Sequence, residues 1–151
     1  MKNEGIQETG ILVSCSDYHI FNKMKLTRAK ARDKYLGVIK AALDRGIKPR
    51  CHFEDITRAD FYGFVLPFAE ELMKLSEESG IPIKIRACDT MGYGVSYYGA
   101  ATPRSVPGLI YGLRHYAHVP SELLEWHGHN DFYKVVSNAG TAWMPARVTL
   151  K

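Results

Sequence analysis

The chain has 151 residues, the length of one ordinary domain. Apolar residues make up 46% and charged residues 24%, which excludes disorder, collagen and coiled coil as whole-chain readings. With 20 Lys and Arg against 16 Asp and Glu, the formal charge is +4. That excess is too mild and scattered for a nucleic-acid-binding stripe, and an overall positive field suits small anionic substrates as well. The densest cluster, Lys23, Lys25, Arg28, Lys30, Arg32 and Lys34, reads as a solvated helix face. No stretch reaches the ~18 apolar residues of a membrane span, and the N-terminus lacks the apolar core of a signal peptide. Cys15, Cys51 and Cys88 are odd in number and form no CxxC pair. They read as buried, reduced thiols of a cytoplasmic protein rather than a disulfide framework or zinc knuckle.

Strand and helix patterns alternate along the chain. A strand is predicted over 10–15, followed by a helix over 27–45 that opens at a Thr cap and stops at Gly46. A second strand over 48–53 leads to a helix over 57–79, which Pro67 should kink or divide. A third strand over 81–88 precedes a helix over 105–118, and a fourth over 123–128 precedes a helix starting near Phe132. Polar clusters follow the strands at Asp17, Glu54, Asp89 and His129, spaced 37, 35 and 40 residues apart. That period suits strand–helix units on a parallel sheet, which carries its chemistry at strand C-terminal ends.

Four motifs carry candidate chemistry. In Trp126-His127-Gly128-His129-Asn130-Asp131, side chains at i and i+2 of a strand share a face. His127 and His129 can therefore reach one divalent metal, with Asp131 as a partner to a ligand or a helix cap. In Arg50-Cys51-His52-Phe53-Glu54-Asp55, alternation puts Arg50, His52 and Glu54 on one face. That makes either a carboxylate pocket with Glu54 as acid or base, or a structural Arg50–Glu54 ion pair. Thr57 or Asp60 then caps the next helix. In Asp89-Thr90-Met91-Gly92-Tyr93-Gly94, the Thr90 hydroxyl and nearby N–H groups could hold an anionic group, or form a plain turn. Past Ser14-Cys15-Ser16-Asp17-Tyr18, His19 can contact substrate or serve as a loop histidine. His115 and His118 read as surface residues.

In this order the motifs resemble the metal-dependent Claisen-condensing and retro-aldol barrel superfamily, the DRE-TIM metallolyases. Isopropylmalate synthases, homocitrate synthases and HMG-CoA lyases belong to it. HGHND, 127–131, resembles its HxHND metal motif, and RCHFEDITRAD, 50–60, its fourth-strand segment. ACDTMGYG, 87–94, resembles the fifth-strand D-T-x-G segment, and SCSDYHI, 14–20, the third-strand segment. The wording is most similar to the Re-citrate synthases.

The resemblance implies an α/β fold: part of a (β/α)₈ TIM barrel, about four units, strands three to six. Residues 1–143 would form the central half of the barrel domain and 144–151 an atypical tail, where Pro145 should break the last helix. A complete eight-unit barrel needs about 250 residues, so the chain reads as a fragment. The resemblance further implies that His127 and His129 bind a divalent metal (Mn, Co, Mg or Zn), that Arg50 and Thr90 hold the carboxylate of a 2-oxo acid, and that His19 lines that pocket. Glu54 would be the catalytic acid or base, and acetyl-CoA the co-substrate. Partners would be these small molecules, with no nucleic acid or membrane, and a homo-oligomer is open. The expected activity is an acyltransferase making citrate from oxaloacetate, or 2-isopropylmalate or homocitrate. The family's first-strand Arg-Asp and seventh-strand segment have no counterpart here. The isolated chain should therefore bind metal weakly and turn over negligibly. The alternatives are a half barrel without catalysis and a metal-dependent hydrolase.

Overall fold

In the computed structural model, residues 5–148 are described. Four strands form one parallel sheet in the order β1-β2-β3-β4: β1 (Glu8–Ser14), β2 (Lys48–Glu54), β3 (Lys84–Asp89) and β4 (Leu124–Gly128). Each strand is followed by a helix: α1 (Arg28–Leu43), α2 (Leu66–Ser79), α3 (Val106–His115) and α4 (Val135–Val148). This is the α/β alternation that the sequence pattern predicts.

The pleat divides the sheet into two unlike faces. On one, Ile11, Val13, Cys51, Phe53, Ile85 and Ala87 are buried, and the core continues through Tyr35, Ile39, Phe68, Leu72, Leu109 and Leu113 of the helices. Trp126 packs partly buried against it. Phe68 is its centre, with rings of Phe53, Phe64 and Tyr35 at 5.8, 6.0 and 6.1 Å. The opposite face pairs Gly10 with Arg50, Leu12 with His52 and Ser14 with Glu54, then His52 with Arg86, Glu54 with Cys88 and Cys88 with His127. Charges dominate this second face, and Leu12 on it is 57% exposed.

Local chemistry sets the element ends. Thr27 caps α1 by accepting from Lys30 N. The expected 57–79 helix is divided, but at the extended Ala59 and Asp60 rather than at Pro67. A 3₁₀ turn (Ile56–Arg58) and a π-helical turn (Phe61–Val65) precede α2, which carries its proline in the first turn, where no N–H is missed. Asp60 caps the π turn through Gly63 N. Gly80, at φ 65, closes α2 in the left-handed region.

Three further boundaries are shifted by three residues from expectation. Strand β3 begins at Lys84 rather than 81, because Ser76 Oγ donates to Ile81 O and accepts from Ile83 N, taking groups that a strand would give to the sheet. Helix α3 stops at His115, and Arg114 Nη1 donates back to Val119 O across the left-handed His118. Helix α4 starts at Val135 because Tyr133 is left-handed and Asn130 Oδ1 accepts from Val135 N. Contrary to expectation, α4 also runs through position 145. A proline removes one N–H from the ladder but holds a φ that a helix can use. Residues 149–151 of the expected tail lie outside the described residues.

Candidate active site

The C-terminal ends of the strands converge on Glu54. It ends β2 on the charged face, directly across from Ser14, whose Oγ donates to Glu54 Oε2. From the π-helical turn after β1 (Tyr18–Lys23), His19 Nδ1 lies 3.1 Å from Oε2, and Lys23 Nζ lies 3.2 and 3.4 Å from the two oxygens. Burial alone would raise the Glu54 pKa. The Ser14 and Lys23 hydrogen bonds, with the charges of His19 and Lys23, outweigh it and hold the carboxyl below its ordinary value.

Asp55 turns the chain at the strand end. It takes a left-handed φ of 64 that an aspartate tolerates, and it is fully buried. Arg58 satisfies it, with Nε 2.9 Å from both oxygens. The Arg58 guanidinium also stands 5.2 Å from the Tyr18 ring and 5.8 Å from the Tyr93 ring. Thr90 Oγ1 accepts from Asp55 N at 2.8 Å, joining the ends of β2 and β3 and leaving its hydroxyl proton free to donate. Asp89 is internal: it accepts from Thr57 Oγ1, Tyr93 N and Gly94 N. Thr57 therefore braces the next strand rather than capping a helix. Gly92, at φ 67, turns so close to the β4 loop that a Cβ there would meet His129 O at 3.2 Å.

His127, in β4, and His129, just beyond its end, stand beside one another. His127 and His129 have ring centroids 5.2 Å apart at 69°, and both are exposed. With Zn–N bonds of ~2.0–2.1 Å, two imidazoles sharing one tetrahedral ion put their centroids about 5 Å apart. Burial, aided by His129 and Arg86, lowers the His127 pKa, leaving a neutral imidazole with a lone pair for an ion. The pair thus fits a divalent cation as two of its ligands. Among the described residues, no group of three or more His, Cys, Asp or Glu is arranged to hold one. Asp131 Oδ2 lies 4.0 Å from His129 Nδ1, and the cap of α4 is Asn130 instead.

The site residues expected from sequence are only partly brought together. Glu54, His19 and Thr90 cluster at the end of β2. His127, opposite Cys88, is two strand spacings from Glu54, or about 10 Å. Arg50 does not join them, and the alternative Arg50–Glu54 ion pair does not form, because four residues of strand separate them by about 13 Å. Arg50 instead pairs with Glu8 and, at 3.3 Å, with Glu125, in a layer with Lys84 and Arg86. His52, between Arg50 and Glu54, has its pKa lowered by burial and by Arg86 and Arg50. Sequence reasoning missed Ser14, Lys23 and Arg58. Strand alternation could have placed Ser14 on the charged face. Nothing local aims Lys23, 31 residues away, at Glu54.

Comparison with known proteins places this geometry. The HMGL-like family description covers residues 3–146. The chain belongs to the HMGL-like family. It is 65% identical over 144 residues to "Citrate (Re)-synthase" of Clostridium kluyveri, and 64% identical over 144 residues to that of Syntrophus aciditrophicus. Those alignments take in 95% of this chain but 32% and 23% of the relatives, so the chain spans a third or less of their length. It is 42% identical over 141 residues to the "2-phosphinomethylmalate synthase" of Streptomyces hygroscopicus. Hydroxymethylglutaryl-CoA lyase from Pseudomonas aeruginosa superposes with a TM-score of 0.67 at 18% identity, covering 93% of this chain and 44% of that one. At that identity the likeness shows the fold, part of an HMGL-like barrel.

Proposed function

We propose that this chain carries the metal- and oxo-acid-binding part of an acyltransferase active site that condenses acetyl-CoA with a 2-oxo acid, with oxaloacetate as the acid and citrate as the product. The observation that carries the reading is that the strand C-terminal ends and the turns after them gather Glu54, His19 and Thr90 about 10 Å from the paired His127 and His129. In this reading residues 1–143 supply strands three to six of an eight-stranded barrel, and the chemistry is cytoplasmic, in keeping with three free, buried thiols.

His127 and His129 would hold a divalent cation, which supplies Lewis acidity at the ketone of the oxo acid. Thr90 donates its free hydroxyl proton to the acid's carboxylate. Arg50, about 13 Å down the strand from Glu54 and paired with Glu8 and Glu125, lies outside this pocket. His19 walls the pocket. Glu54, ionised at neutral pH, accepts a proton from the acetyl methyl group; the carbanionic carbon adds to the ketone carbon, whose oxygen takes the π electron pair and then a proton from water. Hydrolysis of the thioester then makes the condensation irreversible.

Two protein ligands fall short of the three usual at a catalytic zinc. That favours a second reading for the chain on its own: a half barrel with weak metal affinity and negligible turnover. The test is to graft residues 3–146 in place of the matching segment of the Clostridium kluyveri relative. Citrate formed from oxaloacetate and acetyl-CoA, lost on His127→Ala, supports the proposal. A folded graft that makes no citrate contradicts it, and one that prefers 2-oxoisovalerate or 2-oxoglutarate overturns the substrate assignment.

A further inference from the structure

Glu54 is held from two directions by residues that no catalytic reading has yet used. Ser14 lies opposite it in the strand register, is only 4% exposed, and aims its hydroxyl at Oε2. The end of β1 behind Ser14 is fixed. Tyr35 Oη donates to Ser14 O at 3.0 Å, and Cys15 N donates to Glu54 O at 2.9 Å. Lys23 reaches in from the surface, its side chain 53% exposed against 15% for Glu54, and lies near both carboxylate oxygens.

We infer that Ser14 and Lys23 are positioning residues for Glu54: they fix its carboxylate beside His19 and keep it an anion, so that it accepts a proton rather than donates one. The inference rests on the reading of Glu54 as the acid–base group. A half-buried carboxylate left alone drifts toward its neutral form. One hydroxyl donor and one ammonium, both stronger partners of the anion than of the acid, reverse that drift. Apart from His19, the other titratable groups facing Glu54 do not supply the effect. Burial pushes the Cys88 thiol up to about 11 and the Tyr35 phenol up to about 12, and it raises Cys15 as well, so all three are neutral at pH 7. Asp55 is committed to Arg58. That leaves His19, at 3.1 Å, as the remaining charge-bearing neighbour.

The experiment is a pH titration of the Glu54 carboxyl carbon by NMR in the 151-residue chain and four variants. The parent should titrate below the ordinary glutamate value. Lys23→Met and Ser14→Ala should each move the midpoint up, Lys23→Arg should return it to the parent value, and Lys30→Met, removing an equal charge from exposed α1, should leave it unmoved. Lys23 lies at the surface, so its variants fold even if Ser14→Ala does not. A Lys23→Met midpoint equal to the parent's, or one that Lys23→Arg fails to restore, overturns the inference. The catalytic reading fails separately. If Glu54→Gln in the grafted enzyme still makes citrate at the parent rate, Glu54 is not the acid–base group, whatever the titration shows.

Discussion

Asp89 shows how a residue can look functional and prove structural. In sequence it opens a turn suited to an anion. In the fold it is fully buried and takes three hydrogen bonds, one from Thr57, 32 residues away. No local pattern carries that partnership. Asp89→Ala strands three donors, two of them buried, each costing about 1–3 kcal/mol when left unmet in the interior. Urea unfolding should show a loss of about 3 kcal/mol or more, and a loss below 1 kcal/mol would contradict the bracing role. The pairing of His127 and His129, by contrast, needs no distant partner. Their spacing was legible because period-two alternation needs only the strand itself. Arg50 was legible as to face but not as to partner, since Glu8 comes from β1 and Glu125 from β4, two strands away.

At the scale of elements, helix α2 shows which signals the sequence carries. Pro67 marks its first turn and Gly80 its end, and both act through backbone geometry alone. The start of β3 was misplaced because the side chain of Ser76, not an apolar run, decides where Ile81 and Ile83 make their hydrogen bonds. Phe68 joins α2 to α1, β2 and the π-helical turn before it through three ring contacts. Phe68→Ala should cost about 3–5 kcal/mol, read from the urea midpoint at unchanged slope. The element that anchors the site is the π-helical turn after β1, clipped by Arg28, which holds Asp17 and Asp60 at 2.7 Å each.

Over the whole molecule, one face of the sheet is a core and the other a field of charges, and acid should act on it in a definite order. His52 has a folded value below its ordinary 6.5, so the unfolded chain takes up that proton first. Its contribution is intact above about pH 6.5 and falls away as the pH drops through the folded value. Glu54 and Glu8, held below 4.5, and Asp60, held below 3.8, lose theirs later, as the pH falls from those values through their lowered ones. Equilibrium unfolding from pH 8 to 3 should therefore decline in two stages, with the upper one reduced in His52→Gln. A flat profile down to pH 5 in the parent would contradict this.

The four-unit architecture was legible from the 35- to 40-residue period, because each polar cluster marks a strand end. The layer of Glu8, Arg50, Arg86 and Glu125 was not, since it exists only once the strands are in register. The face has two outer strands without further partners among the described residues, and a groove of about 680 Å³ beside β1, lined in part by Leu12, Tyr35 and Val38.

The claim on which the functional account rests is that His127 and His129 hold one divalent cation. Line broadening by Mn(II) in NMR spectra of the chain tests it most directly. The account predicts weak, saturable broadening centred on residues 127–131, abolished by His127→Ala and by His129→Ala. Broadening centred elsewhere, or unchanged in both variants, would contradict it.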